Sequence, residues 1–116
     1  MKEYIIDNIP IILGENATDN WNIINKYNKE NVNYIWIHLN SFPSPHVIIL
    51  DENANIKTIN HACNLCQKNS KYKNMKDLKF CMTTLNNIIK GEKIGEVYFK
   101  SNRKVKTFNL NLNHHF

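Results

Sequence analysis

The chain has 116 residues, 42% of them hydrophobic, and a formal net charge of +5. That length fits one domain, residues 1–116 with a core over about 9–110, of modest stability. No run of about 18 apolar residues suggests a membrane span, and the polar N-terminus reads against a secretory leader. Three cysteines, an odd number, fit reduced thiols better than a disulfide framework. The expectation is a soluble, cytoplasmic protein in which the Asn16-Ala17-Thr18 sequon carries no sugar.

The elements follow in chain order. "EYIID" and "PIILG" read as short strands around a turn at Asn8, with Pro10 at a strand start or edge. "ENATDNWNIINKYNKEN" has helical spacing, with Ala17, Trp21, Ile24 and Tyr27 or Asn28 on one face. Asn16 suits its N-cap, and Asp19 three residues on mimics a capping box. "YIWIHL" and "HVIIL" are strands joined by "NSFPSP", which Pro43 and Pro45 stiffen. Both faces of these strands are largely apolar, which predicts central sheet. Trp36 and His38 share a face of the first strand, and His46 opens the second.

After the polar turn "DENAN", "IKTINHACNLCQKN" is a second helix with Ile56, Ile59, Ala62 or Cys63, and Cys66 inward. "SKYKNMKD" is a basic loop and "LKFCMTT" a strand. "LNNIIKGEK" reads as a turn-rich connection, followed by strands "IGEVYFK" and "KVKTFNLNL". The pattern predicts an α+β domain: a mainly antiparallel sheet with about two packed helices.

Charge is unevenly placed. Residues 1–60 carry four Lys and seven acids, net −3; residues 61–116 carry eleven Lys/Arg and three acids, net +8. The basic half points to a polyanionic partner, with a solvated Lys-rich surface as the alternative. Lys68, Lys71, Lys73, Lys76 and Lys79 cluster around the end of the second helix. Lys90, Lys93, Lys100, Arg103, Lys104 and Lys106 cluster in the last strands. Such cations neutralise phosphates and release counterions. Tyr72, Tyr98, Phe99 and Phe108 are interleaved and suit base stacking or core packing. The preference for Lys over Arg, 14 to 1, comes with 21 Asn and 16 Ile. It reports an AT-rich genome rather than a function.

His61, Cys63 and Cys66, with Cys81 later, raise a zinc site, which needs tetrahedral thiolates. The two nearer cysteines lie on the apolar stripe of a helix, so buried structural thiols are the better reading. His114 and His115 are expected to be disordered rather than ligating. No activated thiol, phosphate loop or carboxylate pair marks an enzyme. No catalytic residue, metal or cofactor is expected.

"GENATDN" at 14–20, "IWIHLNSFPSPHVII" at 35–49, "HACNLCQKNSKYK" at 61–73 and "KGEKIGEVYF" at 90–99 occur together in order. In that order and spacing they resemble the NFACT-R domain of ribosome quality control factors (the NEMF, Tae2 and RqcH proteins). The same domain stands nearly alone in some small coiled-coil proteins. The resemblance covers about Ile11 to Phe108. It implies an α+β fold, RNA binding (tRNA or rRNA) and possible contact with the large ribosomal subunit or its factors. Alternatives are a protein-docking module or a DNA binder. Gly14, Asn16, Asn20, Trp36, His38, Pro43, His46, Ser70 and Gly95 fall on motif positions, and Lys71 and Lys73 in the adjoining basic segment. Tyr34 replaces a common acidic residue and Pro45 a common Ser. The other domains of the longer factors are not in this sequence, so extension of nascent chains by this protein alone is not expected.

The nucleic-acid-binding expectation therefore names Asn16, Asn20, Trp36, His38, His46, Lys68, Ser70, Lys71, Lys73, Lys90, Lys93, Arg103, Lys104 and Lys106. For the two histidines, binding and a purely structural role stand as equal alternatives. For Asn16, the cap is the favoured reading.

Overall fold

The computed structural model describes residues 1–110. Its elements are β1 (Lys2–Ile6), β2 (Ile9–Leu13), α1 (Ala17–Glu30), β3 (Ile35–Leu39), β4 (Val47–Ile49), α2 (Ile56–Lys68), β5 (Lys79–Thr84), β6 (Ile88–Lys90), β7 (Val97–Phe99) and β8 (Lys106–Asn109). Six strands form one sheet in the order β1-β2-β4-β3-β5-β8; β6 and β7 form a separate ribbon. Each described pairing is antiparallel. The domain is α+β, as the pattern predicts.

The central strands are buried on both faces, which explains their continuous apolar runs. Ile35, Ile37 and Leu39 of β3 join Val47 and Ile49 of β4 in a core completed by Ala62, Cys63 and Cys66 of α2. Trp36 and Ile48 turn to the opposite face, onto Ile23, Ile24 and Tyr27 of α1. The β6–β7 ribbon covers the rest of that face through Ile88, Val97 and Phe99. The β1–β2 hairpin turns at Asp7 and Asn8, both at positive φ (51° and 67°). That conformation is tolerated best by Gly, Asn and Asp.

Both helices start on an asparagine cap. Asn16 Oδ1 accepts from Asp19 N at 2.8 Å, and Asn55 Oδ1 from Thr58 N at 2.9 Å. The expected capping box is displaced by one residue. Asp19 reaches past the cap to accept from Glu15 N at 2.9 Å.

Three expectations need correction. The inward face of α1 is Asn20, Ile23, Ile24 and Tyr27, not the set containing Ala17 and Trp21. Trp21 lies to one side because its indole nitrogen donates to Glu96 O at 2.9 Å. Ile56, expected inward on α2, is 70% exposed in the first turn, where Thr58 takes the buried place. "LNNIIKGEK" is more than a connection, since it contains β6. Its partner β7 begins only at Val97, because residues 91–96 close a loop in which Gly91 N donates to Glu96 O at 2.7 Å. Of the last predicted strand, Lys106–Asn109 is observed. His114 and His115 lie outside the described residues.

Candidate functional site

At the end of the sheet where β2 leads into α1 and β3 turns into β4, four segments surround a cleft of about 390 Å³. Gly14 to Ala17 and Asn20 form one wall, and His38 with Pro43 to His46 form the second. Asn69 to Lys71, just past α2, form the third, and Ile94 and Gly95 overhang it.

The backbone of His46 is the fixed point. Its carbonyl accepts from Gly14 N at 3.0 Å and its N–H donates to Asn20 Oδ1 at 3.1 Å. Gly14 is required for this clamp, since a Cβ there would lie 2.0 Å from Asn20 Oδ1. Asn20 is buried, so its role in holding His46 is structural whatever else it does.

The rings form a second layer of support. Trp36 Nε1 donates to His46 Nδ1 at 3.2 Å. An indole N–H can only donate, so this ring nitrogen carries no proton. Burial, then the neighbouring His38, pushes His46 down to about 3, against a hydrogen bond to the Gly95 backbone. The ring is therefore neutral and keeps its proton on Nε2. His38 lies parallel to Trp36 with centroids 5.6 Å apart, and edge-on to His46 at 5.0 Å. His38 Nδ1 sits 2.6 Å from Leu39 O. A carbonyl can only accept, so here Nδ1 is the donor. Burial lowers the His38 pKa, and backbone bonds at Leu39 and Ser44 oppose it.

The Pro-rich turn is tied from below. Ser44 Oγ accepts from Leu39 N at 3.1 Å and donates to Pro45 O at 3.0 Å, while the Cys66 thiol contacts the same Ser44 hydroxyl at 3.4 Å. Burial raises all three thiols: Cys63 furthest, Cys66 to about 12 and Cys81 to about 11. They are protonated core groups. Among the described residues, no three His, Cys, Asp or Glu are grouped to hold a metal ion.

The third wall is set by the end of α2. Ser70 Oγ donates to Gln67 O at 2.7 Å and accepts from Tyr72 N at 3.0 Å, bending the chain so that Lys71 lies at the cleft. Tyr72 packs on Phe42 with centroids 4.8 Å apart, which holds this segment beside the Pro-rich turn. The overhang depends on Gly95, whose φ of +87° favours glycine. A Cβ there would come within 2.9 Å of Ala17 Cβ.

The cleft thus collects Asn16, Asn20, His38, His46, Ser70 and Lys71 from the expected set. Trp36 is 1% exposed and acts on the cleft only through His46 and His38. The remaining basic residues are elsewhere. Lys68 and Lys73 line a shallow groove along α2, and Lys90 lies over the Trp21 ring at 5.4 Å. Lys93 is in the 91–96 loop, Arg103 and Lys104 in a 3₁₀ turn, and Lys106 on edge strand β8. Glu15, Asn69 and Ile94 also line the cleft and carry no sequence signal beyond standing next to motif residues.

A second cavity of about 350 Å³ adjoins the first, with His38, Pro43, His46 and Gly95 common to both. Its lining includes Trp36, Phe42, Cys81 and Phe99.

Residues 4–101 match the family model of the NFACT protein RNA binding domain. The fold is also similar to the C-terminal part of the fibronectin/fibrinogen-binding protein from Streptococcus suis, with a TM-score of 0.82 and 21% identity. That alignment covers 94% of this chain and 44% of the other, so this chain spans less than half of that structure's length. No curated protein matches the sequence significantly. Among the described residues, no helix is long and apolar enough to cross a membrane.

Proposed function

The chain belongs to the family of NFACT protein RNA binding domains, and from that premise we propose that it is an RNA-binding module whose ligand is tRNA or rRNA. In this reading it acts beside ribosome-associated quality control, in the cytoplasm, with no chemistry of its own. One observation carries the reading. Asn16, Asn20, His38, His46 and Ser70, scattered along the sequence, converge on one cleft with Lys71 at its edge. Internal hydrogen bonds fix most of these polar groups in place, and the cleft carries one cation, Lys71, and one carboxylate, Glu15, beside them. A rigid polar cleft with a cation suits nucleotides, where phosphate contacts position and polar groups discriminate. The protonated thiols offer no nucleophile.

The test is a salt titration of binding to purified bulk tRNA, with duplex DNA of similar length alongside. The expected result is preference for tRNA and affinity falling steeply between about 50 and 200 mM salt. Lys71→Gln is expected to weaken binding and flatten the salt dependence. Binding that ignores salt, or equal affinity for duplex DNA, would overturn the assignment.

A further inference from the structure

The second cavity differs from the first in its aromatic side chains, Trp36, Phe42 and Phe99. Trp36, 1% exposed, backs this cavity from behind. His38 lies parallel on it, 3° apart, and Phe99 meets it edge-on at 72° with centroids 5.6 Å apart. The half-buried rings left to face the cavity are His38, Phe99 and Phe42. Phe42 lines it too, braced from behind by Tyr72. Cys81 also lines it, as a neutral thiol engaged with His38 O at 3.5 Å. The one charged side chain lining this cavity is Glu96, an anion. The site therefore repels phosphate and suits a flat, uncharged ring. The adjoining cleft has Lys71 and Asn16, and its one carboxylate, Glu15, is paired with the N-terminal amine at 2.9 Å.

We propose that the two cavities hold one unpaired nucleotide of the RNA, its base in the aromatic slot and its phosphate toward Lys71, with His38 as the shared wall. This rests on the RNA-binding reading and narrows it to single-stranded or splayed segments. A base inside a duplex is stacked and paired, and cannot enter a slot of this kind. A cavity of 350 Å³ lies within the usual range for small-ligand sites, about 300–1,000 Å³. Aromatic stacking of an extruded base is the common mode by which proteins hold single-stranded RNA. Gly95 makes the arrangement possible. Having no Cβ, it lets the 91–96 loop lie on Ala17 and border both cavities at once.

The experiment uses the full chain and a short single-stranded RNA with one 2-aminopurine, compared with the blunt duplex of the same sequence. The single strand is expected to bind about tenfold more tightly, with a change in 2-aminopurine emission. Asn40→Trp places a large ring in the slot and leaves the backbone bond from Asn40 N to Lys79 O intact. It is expected to abolish both the strand preference and the emission change, with the salt slope unchanged. Val97→Phe is a second blocking variant should the first not fold. Equal binding of strand and duplex with unchanged emission would overturn the base slot and leave RNA binding standing. Absence of binding to any RNA, bulk tRNA included, would overturn both.

Discussion

The indole of Trp36 donates to Nδ1 of His46 across 3.2 Å, and this bond fixes the charge of a buried ring at the centre of the domain. Protonating that nitrogen would set two donors against each other between two buried rings. The imidazole is therefore held neutral by both its partner and its burial.

A pH dependence follows. The folded pKa of His46 is about 3, against an ordinary value of 6.5. Between those values the unfolded chain binds a proton that the folded chain does not. Stability is therefore full above pH 6.5, falls as pH descends, and levels off below about 3. His38, lowered mainly by burial, adds to the same trend. Urea midpoints at pH 7 and pH 4.5 are expected to differ clearly in the native chain and less in His46→Gln.

The clamp on the His46 backbone gives a second test. Asn20→Ala leaves the His46 N–H without its partner, at a cost of about 1–3 kcal/mol. Gly14→Ala drives a methyl into the Asn20 amide and is expected to destabilise by a similar amount. Chemical denaturation measures both. Under the proposed function, RNA affinity should fall further in these variants than in whichever core variant, Ile37→Val or Ile37→Ala, matches their measured stability.

The basic residues are expected to separate by position. Each phosphate contact removed lowers the salt slope by about 1. Lys71→Gln, at the cleft, is expected to do so with a clear loss of affinity. Lys106→Gln, on the β8 edge, is expected to have a smaller effect. Equal losses at the two sites would extend the interface from the cleft to the sheet edge, and a larger loss at Lys106 would relocate it there.

The thiols offer a fourth check. Cys63, Cys66 and Cys81 are buried and their pKa values raised. A thiol reagent at neutral pH should label Cys63 and Cys66 only once the domain opens, and Cys81, a protonated thiol lining the second cavity, only slowly in the native chain. Cys66→Ala removes the contact to Ser44 and is expected to cost about 1–2 kcal/mol, loosening the Pro-rich turn.

The sheet was legible where its strands were long or wholly apolar. Ile35 to Leu39 and Val47 to Ile49, apolar on both faces, read as central strands, and Asn16 read as a cap; the Asn55 cap was hidden in what read as a polar turn. The inward face of α1 was misread because Trp21, its largest apolar residue, is drawn sideways by a carbonyl 75 positions away. β6 was missed because three residues with Ile88 inward and Ile89 outward carry too little alternation to register. In the site, the motif residues that meet at the cleft were all named. Their division of labour was not, because which of Trp36, His38 and His46 reaches solvent depends on packing rather than on residue type. The basic cluster read from the last strands is spread over separate elements, since a charge run along the chain says nothing of where the fold turns each side chain.

The overhang of Ile94 and Gly95 has a consequence for synthesis. Three of the cleft's four boundaries come from residues 14–71, whereas the last comes from the 91–96 loop. During translation the pocket therefore has no roof until that loop has emerged and Trp21 has captured the Glu96 carbonyl. Under the proposed function, ligand recognition therefore waits on this loop, while β7 and β8 are added after it.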